Sequence, residues 1–584
     1  MITKILLTLL GAITATFAQT YTVSTTAEFR QALENATVNG ETDTIVVKAG
    51  TYKTTDDGLG AFKFSDTEPY SLTIKAYSGL SAKDVIFSGN HSSQVFNLTN
   101  AQNNSSFIFK NISTIDGNTS YEGGGIYSDS NLTIVDCNVS NNTSLGAGGG
   151  ILSTKDIIIK NSTVSNNSFL GNGGGVFSSG AITIINSSIS NNIFIDIYYT
   201  STGSTSGRSN GGGIYTTNGV VTITNSIISN NVTKYNGGGI YLNNGSIIII
   251  NSTISNNIAK YDGGGIYTMD NDVAIVNSII SNNSSLGSGA GLFVSRANII
   301  NSIISNNISI LGNGGGIYAY NINIINSIIL NNSSQSGSGV YGNGNFINSI
   351  FKDNNNSDIY FVEDSKVYNS FIDYTKLQNE SSYTIIKKNN IQSTSSPINF
   401  TDTSYRLNQS SPAVNKGLDP YSDTFKNLLG DKYAQVIGYL KTDKDGNTRI
   451  AGGTIDIGAY ENGSVKVCAQ VITYATEPLS GTCKEYTTPC DVPNGWQTVA
   501  KCPSITAESP TLIAPNNEIK SHIESLPSGW SLAGTSTSVA DLSIFNSAKI
   551  IWFYKSNKWY QYEPSKGTQL NMSIKSYDGF WVYK

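Results

Sequence analysis

The sequence predicts an all-β protein: a single-stranded right-handed parallel β-helix followed by a small C-terminal all-β module. Three observations predict it. A glycine-rich pentad returns about every 25 residues, an Asn-Ser motif follows it at a nearly fixed distance, and the runs between them alternate with the period of a strand.

The pentad reads Gly-Gly-Gly-Ile-Tyr at 123–127, 211–215, 237–241, 263–267 and 314–318, with variants at 148–152, 173–177, 289–293 and 337–341. Successive starts lie 25, 25, 38, 26, 26, 26, 25 and 23 residues apart. The long interval holds an insertion near 193–208 that must loop out of one coil. The second motif, Asn-Ser-x-(Ile/Val)-Ser-Asn-Asn, stands at 161–167, 186–192, 225–231, 251–257, 277–283 and 301–307. No helical spacing occurs in these repeats, so helical solenoids are excluded. Three strands and three turns fit one coil, and coils stacked about 4.8 Å apart build a rod of roughly 60 Å.

Stacking puts equivalent residues in files. Counting by twos from Ile157 and Ile159 reaches Asn161, so the first motif Asn is expected to face inward. Asn161, Asn186, Asn225, Asn251, Asn277, Asn301 and Asn326 then form an amide ladder, because Asn tolerates left-handed backbone and its amide satisfies backbone groups. Asp136 takes the same slot, and Asp262 shares the corner of Asn172, Asn210, Asn236 and Asn313. Tyr127, Phe177, Tyr215, Tyr241, Tyr267, Phe293, Tyr318 and Tyr341 share one position beside an inward aliphatic residue, and are expected to stack outward. This file stiffens the rod and is also a candidate glycan contact.

The chain divides into seven stretches. Residues 1–18 read as a secretory signal, with Lys4 before an apolar stretch too short for a stable bilayer anchor and Ala18 before Gln19. Residues 19–122 hold a capping helix at 27–36 and the first coils, 123–400 the repeats, and 401–461 the end of the β-helix. A Cys-rich segment (462–502), a linker (503–520) and a Trp-rich β module (521–584) follow. Cys468, Cys483, Cys490 and Cys502 are candidates for two disulfides in an exported chain. Zinc is the weaker reading there, because no paired C-x2-C spacing and no nearby His accompany them. The expected location is therefore outside the cell or on its surface. With 13% charged residues and a net charge of -5, nothing resembles a nucleic-acid-binding stripe.

The segment at 27–52, AEFRQALENATVNGETDTIVVKAGTY, resembles the opening of secreted bacterial β-helix proteins of the pectate-lyase-like superfamily. SSPAVNKG at 410–417, TDKDGNTR at 442–449 and GTIDIGAYE at 453–461 are similar to the end of choice-of-anchor Q domain proteins. The GGGI repeats look like those of polymorphic outer-membrane proteins and related adhesins. These resemblances cover about 20–461 and imply fold and export. The same scaffold carries lyases and adhesins, so it does not choose an activity.

A lyase needs clustered carboxylates to hold Ca²⁺ and an Arg or Lys base. From 123 to 362 there is no Glu and no His, and neither Arg208 nor Arg296 lines up with a carboxylate pair. Asp270 and Asp272 supply too few oxygens for a metal. His91 and His522 read as isolated surface or turn residues. Lys75, Asp84, Lys110 and Asp116 mark the least excluded place for a catalytic cluster. Asp443, Asp445 and Asn447 begin like a Ca²⁺ loop, but Thr454 stands where its last acid belongs, so a turn tied by Arg449 to Asp456 or Glu461 is preferred. No metal or cofactor is required, Ca²⁺ being the candidate if one is used. The five Trp (496, 530, 552, 559 and 581) fit a small core or a glycan-binding face. The composite expectation is a non-catalytic surface protein for adhesion, matrix or glycan binding, with a polysaccharide lyase acting on uronic-acid glycans as the alternative. Polysaccharides or cell-surface glycans are the expected partners, with neither nucleic acid nor a membrane span.

Overall fold

The computed structural model describes residues 18–463, apart from 38, 101–104, 196–208, 270, 380–381, 395–396 and 452, and mainly short strands between 473 and 583 beyond them. Residues 1–17 of the expected signal segment and 196–208 of the expected insertion lie outside the described residues, and Ile193–Phe194 is a strand of the solenoid rather than part of a loop. The chain forms two compact units, divided between Val467 and Cys468.

The first unit is a parallel β-solenoid whose described residues form sheets of 25, 14 and 8 strands. The coil beginning at Gly237 shows the pattern. Ile240–Leu242 and Ser246–Ile250 both enter the largest sheet, Thr253–Ser255 the second and Ile258–Ala259 the third. A coil thus has four strands on three faces rather than three strands. The first two merge into one nine-residue strand at Leu292–Ile300 and Ile317–Ile325. Pairing is parallel and in register, so Ile214 meets Ile240 and Ile240 meets Ile266, all fully buried. Each such Ile contributes about 1.5–3 kcal/mol of apolar burial. The glycines admit the next coil: Gly237 has φ +68, and a Cβ on Gly238 would lie 2.4 Å from the Gly264 carbonyl oxygen.

The seven-residue motif has three Asn with two kinds of work. The first and sixth sit in left-handed backbone, as at Asn251 (φ 50) and Asn256 (φ 55), and turn the chain. The seventh points into the core. Asn142, Asn167, Asn192, Asn231, Asn257, Asn283, Asn307, Asn332 and Asn354 are at most 1% exposed, and each Nδ2 donates to the next Oδ1 at 2.9–3.0 Å. Each Nδ2 also donates to an earlier carbonyl, as Asn257 does to Ile228 at 2.9 Å. Each Oδ1 also accepts a backbone N–H, as Asn257 Oδ1 does from Asn231 at 3.0 Å. Both hydrogens and both lone pairs are therefore used. Beside this ladder, the backbone N–H of Ser252 donates to Ser278 Oγ at 3.1 Å, and the same bond recurs coil after coil. Cys137 takes the first place of this serine file. It is a buried free thiol whose pKa burial pushes up to about 12.

The inward position expected for Asn161 and its equivalents is corrected here. A left-handed residue at the corner reverses the alternation, so counting by twos through it fails. Asn161, Asn186, Asn225 and Asn251 are exposed, and Ser162 and Val164 turn inward behind Asn161.

At the first end, Thr26–Asn35 is a helix capped by Thr25, which accepts from the Glu28 N–H at 3.2 Å. Glu28 in turn accepts from Ser24. Phe29 is fully buried against Phe62 and Phe87, closing the core. At the other end, 401–461 does not continue the coils. It folds back along the outside of the solenoid. Phe425, Leu428, Leu429, Val436 and Leu440 cover outward Val276, Ile300, Ile325 and Ile347. Leu407, Ala413, Ile457 and Tyr460 cover outward Ile303, Ile328 and Ile350.

Among the described residues, the second unit has two sheets. Thr473–Thr476, Cys483–Tyr486 and Gln497–Val499 form one, antiparallel. Leu512–Ile513, Trp530–Thr535, Ile550–Lys555, Lys558–Tyr562 and Gly579–Tyr583 form the other. Part of the expected linker is thus a strand: Leu512–Ile513, a short apolar run, pairs with Gly534 and Thr535.

Asn257→Ala strips partners from the Asn231 N–H and Nδ2, the Ile228 carbonyl and Asn283 Oδ1. It is expected to cost about 2–4 kcal/mol, against under about 1 kcal/mol for Asn218→Ala, an exposed Asn outside the left-handed region. Urea denaturation of both variants checks this, and equal costs would contradict it.

Candidate functional site

The outward features of the solenoid are an aromatic file, an asparagine ladder and the polar turns of the returning segment. The file runs unbroken through Phe177, Tyr215, Tyr241, Tyr267, Phe293, Tyr318, Tyr341 and Tyr360. Ring centroids are 4.7–5.1 Å apart and planes within 2–15° of parallel. Tyr127 is separated from it because Leu152 occupies the intervening coil. Tyr360 extends it, unmarked in the sequence because no glycine triplet precedes Ile359–Phe361. Neighbouring rings cover one another's faces, so the file presents edges and phenol groups. Burial raises the Tyr215 and Tyr241 pKa values and pushes Tyr267 up to about 12, so these hydroxyls stay protonated donors at neutral pH. Ring contacts of this kind add about 0.5–1.5 kcal/mol each.

Asn161, Asn186, Asn225, Asn251, Asn277, Asn301 and Asn326 line up on the outside with φ between 48 and 51. Asn186 donates to Asn161, Asn225 to Asn186 and Asn301 to Asn277, each at 3.2 Å. Further along, the amides hold the returning segment. Asn301 Nδ2 donates to the carbonyls of Tyr439 and Thr442 at 3.0 and 2.8 Å, and Asn348 Nδ2 to that of Leu418 at 2.9 Å. Asn301 and Asn326 are buried as a result.

The charged residues are dispersed or already engaged. Arg296 aligns with an acid of the preceding coil: its Nε lies 2.6 Å from Asp272 Oδ1, in an exposed pair. Asp270 and Arg208 lie outside the described residues. Lys75 and Lys110 are neighbours in the largest sheet, but Asp84 accepts from Ser81 within its own turn and Asp116 ends a strand of the second sheet near exposed His91. Asp262 belongs to a corner file: its N–H donates to Asn236 Oδ1 at 3.0 Å, and its carboxylate accepts from Ser288 at 2.6 Å.

The turn at 443–447 is tied by hydrogen bonds. Asp443 Oδ1 accepts the N–H groups of Asp445 and Asn447, and Oδ2 accepts from Asn447 Nδ2 and the Glu461 N–H. Asp445 pairs with Arg406, and Asp456 accepts from Asn415 and Asn462. Arg449 is completely buried and donates to the Gly458 carbonyl, while Glu461, Asp443 and Asp456 hold its charge. Burial nonetheless lowers its pKa to about 10. Among the described residues, no group of three or more His, Cys, Asp or Glu is arranged to hold a metal.

Asp358 closes the buried ladder, accepting from Asn354 Nδ2 at 2.8 Å. Burial pushes its carboxyl from 3.8 up to about 6, against the opposing pull of Asn354 and Lys376. In the second unit, Cys483 begins a strand, while Cys468, Cys490, Cys502 and Trp496 lie outside the described residues. Trp552 pairs in register with Trp581, and Trp559 with Tyr554. His522 lies outside the described residues.

The Chlamydia polymorphic membrane protein repeat matches residues 251–269, one motif and the pentad behind it. No curated protein matches the chain. Among solved structures, pectate lyase Pel9A is similar at 14% identity and a TM-score of 0.27, over 76% of this chain and 97% of that one.

Because the Asp358 carboxyl is raised in the folded state, the native chain binds a proton more readily than the unfolded chain. Its contribution is present in full below about pH 4 and is lost as pH rises through about 6. A loss of about 2–3 kcal/mol is expected across that window. Asp358→Asn keeps the acceptor without the charge and should flatten this part of the stability profile. Urea midpoints at several pH values test it, and an unchanged slope in the variant would count against it.

Proposed function

We propose that this chain works outside the cell as a non-catalytic β-solenoid, displayed at the surface for adhesion or matrix assembly and facing glycans. The single observation that carries this reading is the use of its polar groups. Most of the repeated Asn, Ser and Tyr residues hold coil to coil, and the carboxylates around 443–461 accept backbone amides or pair with Arg406. A lyase instead needs an ion-binding carboxylate set with a free base beside it. The polymorphic membrane protein repeat at 251–269 supports a surface role. Export by residues 1–18, oxidation of Cys468, Cys483, Cys490 and Cys502 to two disulfides, and attachment through the Trp-rich module belong to the same proposal.

Protease treatment of intact producing cells is expected to remove the chain. The purified mature chain is expected to give no rise in ultraviolet absorbance with pectin, alginate or chondroitin, with or without Ca²⁺. A protein-dependent rise would replace this reading with a lyase, and protection from protease together with absence from the medium would remove the surface role.

A further inference from the structure

The returning segment leaves one part of the outer asparagine ladder open. At Asn301 it supplies two carbonyl oxygens to the amide. One and two coils earlier, it instead walls a cavity of about 300 Å³ lined by Asn251, Ser252, Thr253, Asn277, Lys444 and Asp445. That volume is at the small end for small-molecule sites, roughly 300–1,000 Å³.

The groups around this cavity have unused capacity. Asn251 makes no side-chain hydrogen bond among the described residues, and Asn277 uses its Oδ1 on Asn301 while its Nδ2 stays unbonded. Lys444 is anchored by its N–H to the Ala459 carbonyl at 3.0 Å. Its ammonium has no hydrogen bond or ion pair among the described residues, although Asp445, Asp443 and Arg406 act on it through space. Burial lowers its pKa, the direction expected of an ammonium without a bonded counter-charge. Asp445 is turned to Arg406. The open amides therefore face the kind of partner Asn301 already holds, an oxygen acceptor, and the ammonium adds a preference for an anion.

We propose that this cavity binds a carboxylated sugar unit, its carboxylate on Lys444 and its ring oxygens on the amides of Asn251 and Asn277. The proposal rests on the glycan-facing reading above and names the ligand class. A charge-assisted hydrogen bond has the strength to discriminate an acid sugar from its neutral counterpart by about tenfold or more. Asn251 is exposed, and Asp136 already occupies the equivalent ladder slot, so Asn251→Asp adds a repelling charge without disturbing the core.

The test is ligand-observed NMR on the full chain with glucuronate, glucose and acetate. Glucuronate is expected to bind in the millimolar range and more tightly than either of the others. Lys444→Met and Asn251→Asp should each weaken it about tenfold, with unfolding midpoints unchanged, while Lys160→Met on an exposed strand end should have no effect. Equal binding of acetate, no binding of glucuronate, or unchanged affinity in Lys444→Met would overturn the site. Protease exposure on cells is a separate readout, so loss of the site with exposure retained refutes this inference and leaves the surface role standing.

Discussion

The solenoid depends on complete satisfaction of amide groups sealed inside one corner. A buried carboxamide has two hydrogens and two lone pairs, and leaving any of them unmet costs about 1–3 kcal/mol. Here the ligand set of each amide comes from the coil before and the coil after, so a coil of the wrong length leaves several groups bare. The insertion shows how strongly this sets register. Asn192 and Asn231 are 39 residues apart, yet the bond between them is 2.9 Å, like its neighbours. Extra residues are accommodated elsewhere in that coil while the amide corner keeps its spacing. The amide-to-amide bonds all run toward later coils, so the file polarises in one direction, and its last amide donates to the Asp358 carboxylate.

Aliphatic packing follows from that register rather than setting it. Ile can meet Ile from coil to coil only because the corners are in step, and the same repeat aligns the rings into a file. The two opposite amide files divide the work. The buried one joins coils. In the outer one, Asn186 donates back toward Asn161, and later amides seize the returning chain through Tyr439, Thr442 and Leu418. That segment is a clasp, carrying apolar groups to outward faces that would otherwise meet water.

Much of this was legible in sequence because period and architecture are nearly the same thing in a solenoid. The pentad and motif located the coils, and 27–36 read as a helix. Two failures have physical causes. Alternation carries no information across a left-handed corner, which sent Asn161 inward on paper and hid the real ladder at Asn167. The clasp was missed although its trace is visible. The outward position after each motif serine is Thr163, Ser188, Ile227 and Thr253 early on, and becomes unbroken Ile only from Ile279 through Ile303, Ile328 and Ile350. Ser422 before Phe425, Leu428 and Leu429 likewise marks a capped amphipathic helix. Outward apolar residues in successive coils mean a cover, and the folded-back segment is that cover.

A scaffold of near-identical coils limits where recognition can arise. Residues that repeat are held by their own copies: ring faces by rings, buried amides by amides. A ligand can reach only groups for which the next coil supplies no partner. Along the outer ladder this happens where the clasp departs from the amides, and there it brings Lys444 from a distant, non-repeating part of the sequence. The site therefore needs both parts: the repeat supplies spaced neutral donors, and the irregular segment supplies the charge that distinguishes one oxygen-rich ligand from another.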